Sequence, residues 1–228
     1  MRKNSFIQGA LILTVAGIIV KFIGAFSRIY LSRLLGGEGI GLYQMAYPIY
    51  LLCLSVSSAG LPVAISIMVA ERNAVNDYNG GQKVFRISMA ALVMTGLFFS
   101  VLLFFGSQWL VDTGIVRDPR AYWSLLALSP AVFCATLLAT LRGYFQGLQL
   151  MTPTAVSQIL EQVVRVVTMI AFAVILLPYG LEFGAAGATL GAAPGAFMGI
   201  VVLIGFYYMT RSWRKELAAE QDPSIKPQ

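Results

Sequence analysis

Apolar residues in this chain gather into runs of membrane length, and the charges collect in the short polar intervals between them. Residues 87–111 pass 25 positions without a charge, and residues 183–210 pass 28. About 20 residues rising 1.5 Å each cross a hydrocarbon core of about 30 Å, so either run is long enough to span. The whole pattern predicts six membrane helices, over residues 6–35, 40–69, 87–111, 121–141, 154–177 and 184–210, then a polar tail at 211–228. The expected fold is all-α and integral to the membrane, a six-helix transmembrane bundle.

The intervals carry turn chemistry. Residues 71–86 hold Asn79, Gly80 and Gly81, residues 112–120 form a short loop, and residues 142–147 with Pro153 mark the turn before the fifth helix. Pro178, Tyr179 and Gly180 make a tight connection before the sixth. The Met-Arg-Lys-Asn start superficially resembles a signal peptide. Lys21 and Arg28 interrupt the region after its apolar stretch, and no small-residue cleavage site closes it, so it reads as a retained first helix.

Composition agrees with a membrane chain. Hydrophobic residues make up 58%, charged residues 11%, and mean hydropathy is +0.77. A soluble domain carries about 25% charged residues to wet its surface. The chain has no histidine, which excludes the usual zinc sites and histidine-based triads. Cys53 and Cys134 stand singly in apolar runs, with no metal-ligand spacing. No dinucleotide or phosphate-loop motif occurs, so no metal or cofactor is implied and no enzyme is expected.

Positive charge sets the expected orientation. Of sixteen Lys and Arg residues, ten fall on the side holding both termini: Arg2, Lys3, Arg72, Lys83, Arg86, Arg142, Arg211, Arg214, Lys215 and Lys226. Three, Arg33, Arg117 and Arg120, fall on the other. Both termini, and the tail, are expected in the cytoplasm of a multi-pass cell-membrane protein. The net charge of +6 then faces anionic lipid and not nucleic acid.

The remaining cations lie at bilayer depth, where an ionised group costs about 2.5–3.5 kcal/mol on insertion scales. Lys21 and Arg28 are two helical turns apart and share a face with Gly17 and Gly24. Ser27 and Ser32 add small polar positions. Arg28 and Arg33 fit two readings, a cavity role or snorkelling to headgroups, whereas Lys21 near mid-span favours a cavity. On the fifth helix Gln158, Glu161, Gln162, Arg165 and Thr168 form one polar stripe, which must face the bundle interior or water. Glu161 and Arg165 stand at i and i+4, either as a pair that only holds helices together or as direct substrate contacts. Pro48 is expected to bend the second helix, with Tyr43, Gln44 and Tyr47 close by, and 55–62 makes a second weak point.

Several strings carry a resemblance: GAFSRIYLSRLLG (24–36), GEGIGLYQMAYPIY (37–50), SAGLPVAIS (58–66), RGYFQG (142–147) and MTPTAVSQILEQVVRV (151–166). The chain resembles the stage V sporulation protein B type of polysaccharide-biosynthesis transporter, within the multidrug/oligosaccharidyl-lipid/polysaccharide (MOP) exporter superfamily that also holds the lipid II flippases. The resemblance implies the N-terminal lobe of a V-shaped transporter whose central cavity alternates between membrane faces. It implies an undecaprenyl-pyrophosphate-linked sugar as cargo, a peptidoglycan or polysaccharide precursor. Lys21, Arg28 and Arg33 are the positions it carries over, although the flippase pattern has an adjacent Arg-Asp pair where this chain has Ser27-Arg28. Candidate cavity residues are thus Lys21, Arg28, Arg33, Gln44, Gln158, Glu161 and Arg165.

Family members usually hold two such lobes. The implied partners are therefore a C-terminal lobe or a second copy, with lipid-linked oligosaccharide and membrane lipid. Two other functions remain open: a cation-coupled multidrug antiporter of the same superfamily, and a non-transporting scaffold for cell-wall synthesis. Intramembrane cations outnumber the one well-buried carboxylate, Glu161, which favours an anionic cargo over a cationic drug.

Overall fold

A computed structural model describes residues 3–210, and all of them fall in helices or the short turns between them. The 211–228 tail lies outside the described residues. The helices are α1 (Lys3–Ser58), α2 (Leu61–Ala74), α3 (Tyr78–Asp112), α4 (Tyr122–Gly147), α5 (Met151–Leu176), α6 (Leu181–Leu190) and α7 (Ala192–Met209). Five helical stretches among the described residues are long and apolar enough to cross a membrane, and the first, Ile7–Ala74, has length for two crossings.

α1 uses that length by folding back at Gly36, the one residue inside it with non-helical dihedrals (φ 66°, ψ −176°). This corner of backbone space is open essentially to glycine alone. Its two arms, 3–35 and 37–58, then lie side by side. Arg28 and Tyr47 line the same hollow although 19 residues separate them, about 28 Å of straight helix. Six crossings result. Gly36→Ala is expected to lower stability by about 1–3 kcal/mol in thermal unfolding. Gly37→Ala, with nothing near its Cβ position, serves as the neutral control.

The connections are shorter than the polar intervals suggest. The 71–86 interval is helical except for a turn at 75–77, where Asn76 takes a positive φ of 58°. Asp77 caps α3 by accepting a hydrogen bond from the Gly80 N–H at 2.8 Å, so the Asn79-Gly80-Gly81 expected as a turn forms the first turn of a helix instead. The weak point at 55–62 is a break at Ala59 and Gly60, with Pro62 in the first turn of α2. Pro48 stays within helical backbone and frees only one carbonyl. The fourth span runs on through Arg142 to Gly147, because Leu141, Tyr144 and Phe145 continue its buried face. The fifth begins at Met151, and the last is two helices meeting at Gly191.

α4 is the central helix. Its buried positions lie on all sides, and it packs against every other helix. One apolar core gathers Leu31, Leu35, Leu42, Leu125 and Leu128. A second gathers Ile65, Leu92, Leu138, Tyr144 and Leu203. Ser57 and Thr136 hydrogen-bond at 3.0 Å, satisfying two hydroxyls inside the bundle. Large apolar side chains such as Phe26, Phe98 and Phe105 point outward, as lipid requires. Near the Gly36 bend, Arg120 holds both Glu38 and Asp118 at 2.8 Å, tying the hairpin to the turn before α4. The Arg120 guanidinium keeps the Asp118 carboxyl below its ordinary range.

Candidate functional site, a cationic groove between α1, α4 and α5

Three hollows run together along one side of the bundle. The first, about 660 Å³, opens between the arms of α1 and is lined by Arg28, Ser32, Arg33, Tyr43, Gln44 and Pro48. The second, about 560 Å³, lies between α1 and α5 and is lined by Lys21, Gly24, Ser27, Arg28, Gln162 and Arg165. The third, about 430 Å³, lies between α1, α4 and α5 and holds Tyr50, Ser58, Arg142, Gln146, Glu161 and Arg165. Tyr47 lines all three, so they form one continuous groove.

Glycine and ion pairing shape its walls. A Cβ on Gly24 would stand 3.3 Å from Gln162 Nε2, so the first arm of α1 comes close to α5 there. Behind α5, a Cβ on Gly195 would lie 2.7 Å from Arg165 Cβ and 3.0 Å from the Glu161 carbonyl oxygen. With α7 flush against that side, the Glu161 and Arg165 side chains turn toward the groove. Thr168 donates to the Val164 carbonyl at 2.7 Å and lies 3.3 Å from that of Gly191, binding α5 to the α6–α7 junction.

Glu161 sits between two guanidiniums. Arg142 donates to Glu161 Oε2 at 2.7 Å and to Ser157 Oγ at 3.1 Å, while Arg165 donates to Glu161 Oε1. Arg165 Nε is buried without a partner. One carboxylate therefore answers two cations, and Lys21, Arg28 and Arg33 add three more along the same groove. The arrangement can hold an anion with several oxygens, through charge-assisted hydrogen bonds from more than one direction.

The structure places six of the seven sequence candidates, Lys21, Arg28, Arg33, Gln44, Glu161 and Arg165, on the groove. Gln158 is half-buried and lines none of these three hollows. Gln162, one turn on, lines the second. Arg142 was expected in a cytoplasmic connection; it lies inside α4 and pairs with Glu161. The signal that finds it is the apolar spacing of Leu141, Tyr144 and Phe145, which carries the helix past the charge.

Fold and groove define an integral-membrane helical lobe. It resembles an outward-facing multidrug-resistance MATE family transporter of the MOP superfamily, with a TM-score of 0.65 and 16% identity, over 95% of this chain and 48% of that one. The chain belongs to the polysaccharide biosynthesis protein family, whose model matches residues 6–226. It is 39% identical over 203 residues to stage V sporulation protein B of Bacillus subtilis, covering 89% of this chain. It is 30% identical over 212 residues to the lipid II flippase MurJ of the same organism, covering 88% of this chain. The chain spans 39% of the length of each of these two relatives.

Proposed function

We propose that this lobe forms one wall of an alternating-access pathway that carries a lipid-linked saccharide precursor across the cell membrane by its pyrophosphate. The observation that supports this is the groove's charge, five cations against a single carboxylate. A pyrophosphate crossing hydrocarbon needs fixed cations in a sheltered, wet cavity. The likeness to a lipid II flippase supports a lipid-linked cargo.

Lys21, Arg28, Arg33 and Gln44 are exposed on this lobe. Lipid cannot satisfy them at bilayer depth, so a polar surface covers them, either a C-terminal lobe or a second copy. Both termini lie in the cytoplasm on this reading. Moving Arg142 into the groove leaves nine loop and tail cations on that side against three.

The test is binding of undecaprenyl pyrophosphate to the full chain in nanodiscs. Lys21→Ala and Arg28→Ala should each weaken binding, by about 1.5–3 kcal/mol for a lost charge-assisted bond, or roughly 10- to 100-fold. Lys83→Ala, an exposed cation distant from the groove in sequence and lining none of its hollows, should change little. Unchanged binding in both groove variants defeats the reading. Tighter binding of cationic drugs by the native chain would favour an antiporter instead.

A further inference from the structure

Pyrophosphate capture needs only the cations of the groove and gives no role to Tyr43, Tyr47 and Tyr50. These residues stand at i, i+4 and i+7 on the second arm of α1, so one helical face presents them in a row. The rings of Tyr43 and Tyr47 stack with centroids 5.7 Å apart and planes 19° apart. Tyr50 continues the row at another 5.7 Å. Tyrosines that merely anchor a helix sit at the headgroup level facing lipid. These three line the groove instead, Tyr43 and Tyr47 only half-buried.

A second observation concerns their hydroxyls. Among the described residues none of the three makes a hydrogen bond. Tyr50 is only 4% exposed, yet it lines the hollow that holds Arg142, Glu161 and Arg165. The Tyr50 oxygen is not one of the buried polar atoms left without a partner, so this hydroxyl reaches the open space of the groove, where a ligand can meet it. The row therefore offers flat aromatic faces flanked by groups that both donate and accept, with no hydrogen-bond partner among the described residues.

That combination suits one class of ligand. A pyranose ring has a face of C–H groups, which meets the negative face of an aromatic ring, and a rim of hydroxyls that donate and accept. A phosphate accepts only, and the cations already serve it. An acyl chain has no use for the hydroxyls. We propose that Tyr43, Tyr47 and Tyr50 form a saccharide subsite, on which the sugar rings of a lipid-linked cargo stack while Arg28 and Lys21 hold its pyrophosphate. The proposal takes its cargo class from the pyrophosphate reading. Arg28 and Tyr43 line two hollows in common, so both parts of one ligand lie within reach of the groove. The row then distinguishes a loaded carrier lipid from a bare one.

The experiment titrates the full chain in nanodiscs with undecaprenyl pyrophosphate, either bare or bearing a disaccharide. The native chain is expected to bind the saccharide-bearing lipid about tenfold more tightly. The double variant Tyr43→Leu/Tyr47→Leu should lose that preference while keeping its affinity for the bare lipid. Tyr50→Phe, which keeps the ring and removes an unpartnered hydroxyl, should reduce the preference about threefold with thermal stability unchanged or raised. Equal affinity of the native chain for the two lipids overturns the proposal, as does equal weakening of both by the folded double variant. An undiminished preference in Tyr50→Phe removes Tyr50 from the subsite. Lys21→Ala and Arg28→Ala separate the two readings. If neither variant weakens either lipid while the sugar preference persists, the pyrophosphate reading falls and the saccharide subsite stands. No binding of either lipid to the native chain overturns both.

Discussion

Glu161→Ala is expected to destabilise the lobe by about 3 kcal/mol, measured by thermal unfolding in detergent. The carboxylate is 13% exposed and lies between Arg142 and Arg165, themselves 18% and 24% exposed. Removing it leaves two guanidiniums facing each other with no counter-charge, and uncompensated buried charge costs about 3–5 kcal/mol. The lower end applies because both arginines reach the groove, where water screens them. The same reasoning predicts a rescue. Arg142→Met/Glu161→Leu/Arg165→Met replaces the network by apolar groups of similar length and should recover most of the loss. Lipid binding should move the other way. Glu161→Gln frees two cations for an anion and should tighten undecaprenyl pyrophosphate binding even as stability falls. A Glu161→Ala chain as stable as the native one would mean that groove water alone satisfies both arginines, and the network would then hold no helices together.

The six crossings are legible in the sequence because a membrane span is dictated by length and by the absence of charge, both of which can be counted. Gly180, expected in a tight turn, indeed takes a φ of 142° after the 3-10 turn at Leu177–Tyr179. Legibility fails where a charge or a turn motif falls inside a helix. Asn79-Gly80-Gly81 has turn composition, yet Asp77 three residues before Gly80 is a helix cap, and the cap wins. Arg142 ends the apolar run at 141, but its partner Glu161 comes 19 residues later, across a turn. Helical spacing rules detect i, i+4 pairs such as Glu161 and Arg165 and are blind to that contact. The groove is legible in part for the same reason. Lys21, Arg28 and the α5 stripe are evident as charges at bilayer depth, whereas their meeting depends on the fold-back at Gly36, which places the second arm of α1 across from α5.

Gly187→Ala is expected to cost about 3 kcal/mol, and Gly187→Leu to abolish a monodisperse fold. Gly184, Gly187, Gly191, Gly195 and Gly199 recur every three or four residues through α6 and α7, and this stripe lies mainly against α5. A Cβ on Gly187 would sit 2.5 Å from the Phe172 carbonyl oxygen and 2.6 Å from its carbon; one on Gly191 would sit 2.6 Å from Met169 N and Cα. These obstacles are backbone, so no side-chain rotation relieves them, and the helices must separate. Overpacking typically costs 1–3 kcal/mol in soluble cores. In a membrane no hydrophobic force draws the helices back together, because lipid tails are as apolar as the side chains, so close packing carries the association. The upper end of that range is therefore expected. Gly205→Ala is the control, with nothing within 4 Å of its Cβ position, and should stay within about 0.5 kcal/mol. The glycine stripe also positions the groove, since the flush contact at Gly195 is what turns Arg165 away from α7. Gly195→Ala should therefore weaken pyrophosphate-lipid binding as well as stability. If Gly187→Ala and Gly195→Ala melt like the native chain, α7 can stand off from α5 without penalty, and the rear wall of the groove is too loose to hold Glu161 and Arg165 in register for an anion.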